Sequence, residues 1–382
     1  MVAERFISRK IKFQGNIAAV ATAVSFFVII VAVAVSSGFR HSIRDGVAAM
    51  TGDIYITPYV SGSGDPTPMP RHLCSEEKIL SVPGVTKIVP SVTRAGIVKS
   101  GETVHGVIIK GVRDSAGLAV SIPHRLQEIT GLGPGDELTT YFVGEKVRAR
   151  KFRITEVHRD ILEADDNLIV YAGLEDMQRL CGWQADQVSG LEVRLKDASR
   201  EALSQAESHI GMILMTSGDP QENSLFVSSS ARTYPQIFDW LDLLDVNVLI
   251  VLLLMTVVAG FNMVSGLLVM LLRNIPLIGT LKAMGMRDRA IGRLFVRIGA
   301  EAVLKGMLAG NVLAFLFCLI QGSTHIIPLD PANYFVSWVP VYLPIKGILA
   351  ADLAAFAGII LLMWLPSLVI SRIDPAQTVK AD

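Results

Sequence analysis

The side chains best suited to nucleophilic or metal chemistry are scattered along this chain. The histidines are His41, His72, His105, His124, His158, His209 and His325, and the cysteines are Cys74, Cys181 and Cys318. No pair of cysteines has zinc-type or redox-type spacing, and no two histidines stand four apart on a helix face. The sequence has no G-x-S-x-G, H-E-x-x-H or G-x-x-x-x-G-K-[ST] pattern, so it offers no nucleophile elbow, zincin pair or phosphate loop. Asp160, Glu163, Asp165 and Asp166 cluster, and they read as a solvated acidic loop, with cation binding as the alternative. The expectation is a non-enzymatic chain with no catalytic residue, no metal site and no cofactor of its own. Cys74 and Cys181 share the long middle segment, either as a disulfide or as two free thiols.

One segment has the pattern of a contact surface. Pro276 to Gly292 is apolar for a connection. Leu277, Ile278, Leu281 and Met284 fall on one helical face, Gly285 is a natural helix stop, and Asp288 is placed to cap the next helix. Such a stretch suits the membrane surface or a partner's groove. The alternative is a turn that folds back on its own bundle. Gly306-Met-Leu-Ala-Gly310 is a G-x-x-x-G, which permits close helix packing within or between chains.

The elements that must carry these residues are set by hydrophobicity. Hydrophobic residues are 51% of the 382, and charged residues only 18%, below the roughly 25% of a soluble domain. Lys+Arg and Asp+Glu are both 35, so no charge excess points to nucleic acid. Ile17–Phe39, Val246–Leu272, Gly306–Ile327 and Leu353–Ser371 are uncharged runs. About 20 helical residues cross a bilayer core of about 30 Å, so each run reads as a span. The first run follows Arg5, Arg9, Lys10 and Lys12 as a signal peptide would, but its length and mid-run Phe26 and Phe27 favour a retained span.

Loop charges give an orientation. The leader and the second connection are basic, the latter through Arg273, Lys282, Arg287, Arg289, Arg293, Arg297 and Lys305, whereas the third connection carries only Asp330 and Lys346. By the positive-inside rule both termini are cytoplasmic. Val2, Phe6, Ile7, Ile11 and Phe13 share one half of a helical wheel, as in an interfacial helix, though a plain basic leader also fits.

The expected fold is an α-helical membrane protein with four transmembrane helices and a large mixed α/β extracytoplasmic (periplasmic) domain between helices one and two. Its segments are a leader (1–16), span one (17–39), the periplasmic domain (40–245), span two (246–272), a cytoplasmic connection (273–305), span three (306–327), a short periplasmic loop (328–346), span four (347–371) and a cytoplasmic tail (372–382). In the outer domain, strands are expected at 53–57, 85–98, 104–112, 138–143, 147–157, 167–171 and 191–195. Helices are expected at 75–81 and 198–210, with a loop at 59–70.

Three stretches carry a family resemblance. Arg273-Asn-Ile-Pro-Leu-Ile-Gly-Thr-Leu-Lys-Ala-Met-Gly-Met is similar to the coupling segment of the FtsX-like permease family of ABC transporters. It departs from that pattern at Pro276 and Met286. Tyr234-Pro-Gln-Ile-Phe-Asp-Trp-Leu with Val258-Ala-Gly-Phe-Asn-Met-Val-Ser265 resembles the family's approach to span two. Tyr334, Val339-Pro340, Leu365-Pro366 and Ile373-Asp-Pro-Ala376 resemble its ending. Gly135-Asp136, Tyr141-Phe-Val143 and Arg150-Lys-Phe-Arg153 look like the LolC/LolE lipoprotein-releasing branch.

The resemblance implies a permease subunit in the inner membrane that works by mechanical transmission. It implies a second permease chain, homodimeric or heterodimeric, and a cytoplasmic ATPase subunit that carries ATP and Mg. It also implies lipoprotein cargo and a periplasmic carrier protein. The ATPase-coupling residues would be Leu277, Ile278, Gly279, Leu281, Lys282, Met284, Gly285, Arg287 and Arg289, with Gly306 and Gly310 as helix-packing positions. The neighbouring readings are a MacB-like efflux or FtsX-like signalling permease, and, from another class, a membrane scaffold or sensor without transport.

Overall fold

The computed structural model describes residues 16–59, 66–100, 103–113, 117–142, 148–158, 168–330, 334 and 336–367. The leader, the acidic cluster at 160–166 and the tail lie outside them. In chain order the elements are α1 (Asn16–Thr51), β1 (Ile54–Pro58), β2 (Met69–Pro70), α2 (Glu76–Leu80), β3 (Val85–Ser100), β4 (Thr103–Arg113), β5 (Ala119–Pro123), α3 (His124–Thr130), β6 (Glu137–Phe142), β7 (Arg148–His158) and β8 (Leu168–Gly173). Then come α4 (Leu174–Cys181), β9 (Gln187–Val188), β10 (Gly190–Leu195), α5 (Arg200–Met215), α6 (Pro220–Asn223), β11 (Leu225–Ser229), α7 (Ser230–Thr233), α8 (Pro235–Arg273), α9 (Ile275–Ala283), α10 (Asp288–Thr324) and α11 (Ile345–Ser367).

Two compact units divide the chain, one of Met1–His41, Leu241–Pro328 and Trp338–Asp382, the other of Ser42–Trp240 and Leu329–Ser337. The division falls inside α1 and inside α8. In the first unit, α1, α8, α10 and α11 are each long and apolar enough to cross a membrane. Two of them outrun their uncharged stretches. α1 continues past Phe39 to Thr51, and α8 already starts at Pro235.

The interior of this unit is made by Phe26 and Ile29 of α1, Met263 and Leu267 of α8, Phe295 and Ile298 of α10, and Ile359 and Met363 of α11. Much of the outer apolar surface stays exposed, as on Leu253 and Phe261, which is ordinary for helices solvated by lipid. Small residues set the closest approaches. A Cβ on Gly306 would meet Thr22 Cβ at 3.0 Å, and one on Gly310 would run into the Ala23 carbonyl oxygen. The G-x-x-x-G is therefore used within the chain, between α10 and α1.

Polar groups inside the bundle pair with one another. Asn311 Nδ2 of α10 donates to Asp352 Oδ2 of α11 at 2.6 Å. Arg40 and Asp245 form an ion pair between α1 and α8, which Ser36 joins. Gln321 braces the turn after α10, donating to the Val339 carbonyl at 3.2 Å and accepting from the Ile327 amide at 3.2 Å.

The second unit is built on a nine-stranded sheet of order β11-β1-β10-β3-β4-β8-β5-β7-β6. β3 is long enough to serve several partners. Its first half pairs with β10, its second half with β4, and Ile97 and Val98 also pair with Tyr141 and Thr140 of β6. The pairings β4–β8 and β5–β7 are parallel, with α3 among the connecting elements of both. Period-two alternation buries Leu191 and Val193 of β10, Val107 and Ile109 of β4, and Phe152 and Ile154 of β7. The strands expected from alternation are present, and β2, β5, β9, β11, α3, α4, α6 and α7 are additions to them, β2 falling at the end of the expected 59–70 loop, where Met69 and Pro70 pair with Val188 and Gln187.

The glycine contacts give the first prediction. Gly310→Leu should lower the stability of the full chain in detergent by about 1–3 kcal/mol, the usual cost of overpacking. Gly322→Leu on the same helix, where nothing lies within 4 Å, should change the thermal midpoint little. Equal effects of the two would show that Gly310 is not a packing contact.

Candidate coupling site

The connection between α8 and α10 is itself helical. Asn274 Nδ2 donates to the Met270 carbonyl at 2.7 Å, closing the end of α8, and α9 begins at the next residue with Pro276 in its first turn. Proline is well placed there, where its missing N–H costs nothing. Gly285 ends α9 with φ of 87°. Its amide donates to the Lys282 carbonyl, and the Met286 amide to the Leu281 carbonyl at 3.0 Å, so the turn is closed by backbone bonds. Lys282 Nζ lies 2.9 Å from Asp288 Oδ1, which pins the end of α9 to the start of α10.

The sequence expectations are met unevenly here. Gly285 is the stop. Asp288 is not the cap. It is the first residue of α10, where its charge suits the positive end of the helix dipole, and it spends its carboxylate on Lys282. The expected apolar face divides. Ile278 and Leu281 are buried in the bundle with Gly279, and Leu277 packs partly against it. Met284, in contrast, is 77% exposed. Pro276, Thr280, Arg287 and Arg289 are also exposed. The apolar character of the segment thus serves mainly to seat it on its own bundle, and its exposed surface is Met284 with Pro276, Thr280 and the nearby arginines.

At the far end of α1 lies a second cluster, which alternation alone hides. Gly52 takes φ of 78°, and its amide bonds the Ala48 carbonyl at 2.8 Å, ending the helix. The next two free carbonyls, of Ala49 and Met50, accept hydrogen bonds from Lys110 Nζ of β4 at 2.8 and 2.7 Å. Tyr171 Oη of β8 also donates to the Ala49 carbonyl, at 3.3 Å. Lys110 Nζ is 2.7 Å from Glu192 Oε1 of β10, and both side chains are 2% exposed. A cation at a helix carboxyl end is favoured by the helix dipole. A Cβ on Gly52 would come within 2.8 Å of Glu192 Cβ, so a bare backbone is needed for this approach. Burial pulls the Lys110 ammonium below its ordinary range, against the attraction of Glu192.

β1 follows directly. The Asp53 amide donates to the Val193 carbonyl, the Leu195 amide to Asp53 Oδ2 at 2.8 Å, and the Ser230 amide to the Asp53 carbonyl at 2.9 Å. Ile54 pairs with Ser229, so the chain enters β1 beside the point where it leaves β11. Arg200 of α5 reaches Asp239 at the start of α8, at 2.7 Å.

The thiols resolve simply. Cys74 and Cys181 do not form a disulfide with each other. The ligand atoms of Cys74, Asp219 and Glu222 lie within 4.8 Å of one another, a grouping that sequence spacing does not reveal. Their carboxylates are already engaged, Asp219 Oδ1 by the Gln221 amide at 2.9 Å and Glu222 by the Ser75 amide and hydroxyl at 3.2 and 2.6 Å. Burial pushes the Glu222 carboxyl up, and hydrogen bonds from Ser75, Ser217 and the Cys74 backbone together outweigh it, holding the group below the usual carboxylate range.

Four apolar helices, an α/β domain inserted after the first, and a helical turn between the second and third define a membrane permease architecture. Family comparisons agree with it. The MacB-like periplasmic core domain matches residues 17–209, and the FtsX-like permease C-terminal domain matches residues 249–375. The chain belongs to the FtsX-like, MacB-type permease family of ABC transporters, and it is a multi-pass inner-membrane protein.

Among curated relatives, it is 26% identical to the lipoprotein-releasing system transmembrane protein LolE of Haemophilus influenzae, over 96% of this chain and 94% of that protein. It is 21% identical to the lipoprotein-releasing system transmembrane protein LolC of Xylella fastidiosa, over 97% and 94%. The solved periplasmic region of MacB from Actinobacillus actinomycetemcomitans aligns with a TM-score of 0.30 at 12% identity, over 50% of this chain and 95% of that one.

Two outcomes are expected from this geometry. Lys110→Met leaves the buried Glu192 carboxylate with Arg194 at 3.8 Å in place of Lys110 at 2.7 Å, and should cost roughly 3–5 kcal/mol of stability. Adding Glu192→Leu should recover most of that loss, as read by thermal unfolding of the full chain. A single variant as stable as the parent would remove the pair's importance. Glu222 gives a pH signature. A carboxyl depressed by folding adds stability above its unfolded value, about 4.3 for Glu, and loses it as pH falls through the lower folded value. The fall in thermal midpoint below about pH 4 should therefore be shallower in Glu222→Gln than in the parent.

Proposed function

We propose that this chain is the permease subunit of an ATP-driven transporter that releases lipoproteins from the inner membrane to a soluble periplasmic carrier. The observation that carries the reading is its similarity, along nearly its whole length, to LolE and LolC proteins, both described as lipoprotein-releasing. Lifting acyl chains out of a bilayer costs about 0.8 kcal/mol per CH₂, so release needs an energy source. The sequence has no phosphate loop, and a cytoplasmic ATPase subunit supplies the work, with ATP and Mg bound there.

In this reading α9 and its turn face the cytoplasm, in keeping with their excess of Lys and Arg. Closure of the ATPase presses on Met284, Arg287 and Arg289. The seated residues Ile278 and Leu281 pass the displacement into the bundle, and α1 and α8 carry it along their length to the outer domain. A second permease chain completes the transporter. The match to the MacB-like core domain supports one neighbouring reading, an efflux or signalling permease that acts on another periplasmic partner.

Affinity purification in mild detergent, with mass spectrometry of what co-elutes, tests the proposal. Recovery of an ATP-binding subunit and of triacylated lipoprotein is expected, and depletion should leave lipoproteins in the inner membrane. Met284→Asp with Arg287→Glu should reduce ATPase recovery by ten-fold or more, about 1.4 kcal/mol, without lowering the thermal midpoint. An ATPase partner without lipoprotein retention would favour the neighbouring reading. No ATPase partner at all would end the transporter reading.

A further inference from the structure

The exposed face of α10 changes character along its length. Arg289, Arg293 and Arg297 stand four apart and are all exposed. At 100° per residue they form one row in the first turns of the helix. Further on, the same sector carries Leu304, Leu308 and Phe315, which are 44%, 56% and 50% exposed. Glu301 is the acidic side chain next along that row, and Lys305 follows it, both exposed.

Among the described residues none of the three guanidiniums forms an ion pair. Arg293 Nε makes one long bond, at 3.4 Å, to the Arg289 carbonyl. Lys282 and Asp288, the charged pair nearest to them, are satisfied by each other. Three unpaired cations therefore precede a solvent-facing apolar stripe on a single helix that is long and apolar enough to cross a membrane.

We propose that Arg293 and Arg297 of this row bind the phosphate headgroups of anionic phospholipids, with their acyl chains lying along Leu304, Leu308 and Phe315. The order of chemistries is the argument. A phospholipid presents a negative headgroup and then hydrocarbon, and α10 presents guanidiniums, a single carboxylate at Glu301 with Lys305 one turn on, and Leu and Phe from Leu304 onward, over a rise of about 1.5 Å per residue. Guanidinium matches phosphate in a bidentate fork, and it does so best beside a low-dielectric surface. Each basic residue near an anionic bilayer surface contributes about 1 kcal/mol. The phosphate-to-hydrocarbon order also distinguishes a lipid from an acidic protein groove, which would leave Leu304 and Leu308 to separate solvation.

The test needs neither ATPase nor cargo, so it stands apart from the proposed function. The full chain is reconstituted in nanodiscs of phosphatidylethanolamine with phosphatidylglycerol, and the lipids retained after gentle release are counted by native mass spectrometry. The parent should retain phosphatidylglycerol in preference to phosphatidylethanolamine. Arg293→Gln with Arg297→Gln should weaken that retention about thirty-fold, equivalent to about 2 kcal/mol at 1.4 kcal/mol per ten-fold. Arg293→Lys with Arg297→Lys should restore part of it, the charge without the fork, and an unchanged thermal midpoint of the Gln variant shows that it folds. Equal retention of the two lipids by the parent overturns the proposal. So does unchanged phosphatidylglycerol retention in the Gln variant.

Discussion

A helix that leaves a bilayer and enters a folded domain must do something with its last carbonyls. In this chain α1 ends against the sheet, and Lys110 supplies the donors that the Ala49 and Met50 carbonyls lack. That ammonium is buried, so it needs Glu192, and Glu192 in turn lies close enough to the chain turn that position 52 is restricted to glycine. Each requirement follows from the previous one. An unpaired buried charge costs several kcal/mol, which makes the four-residue arrangement of Met50, Gly52, Lys110 and Glu192 hard to alter piecemeal. The start of β1, the pairing of Ile54 with Ser229 and the bond from Ser230 to Asp53 all inherit their positions from it.

The membrane unit rests on a different kind of constraint. Without a hydrophobic drive between helices in lipid, close approach and polar pairing must hold them together. Gly306 and Gly310 let α10 approach α1, and Asn311 and Asp352 join α10 to α11. The connection at α9 is held the same way, by Lys282 with Asp288 and by buried Ile278 and Leu281. Its exposed remainder is small, which concentrates any contact with another subunit on a few side chains around Met284.

Much of this was legible in the residues, for definite reasons. Uncharged runs and loop arginines report spans directly, because few other structures tolerate them. Alternation reports β4, β7 and β10 because one of their faces is plainly apolar. It fails for Lys110 and Glu192 because period two assigns them to the opposite, solvent-facing side, and only the end of α1 makes that side an interior. It fails for β11 because Leu225-Phe-Val-Ser-Ser is short and half polar. The face of Leu277, Ile278, Leu281 and Met284 was visible, but the same periodicity describes a helix seated on its own bundle and one seated in a partner. Asp288 misled because a lysine on the preceding turn competes for its carboxylate.

The adjacency of β1 and β11 sets how the outer domain bears load. Both α1 and the α7–α8 segment are attached at the Ile54–Ser229 end of one antiparallel ladder. Splaying the two helices would peel that ladder open from its end, loading one pair of hydrogen bonds at a time. Moving them together in one direction loads no rung first. The domain is thus compliant to divergence of its two stalks and stiff to their common displacement, much as a zipper resists being carried but not being parted.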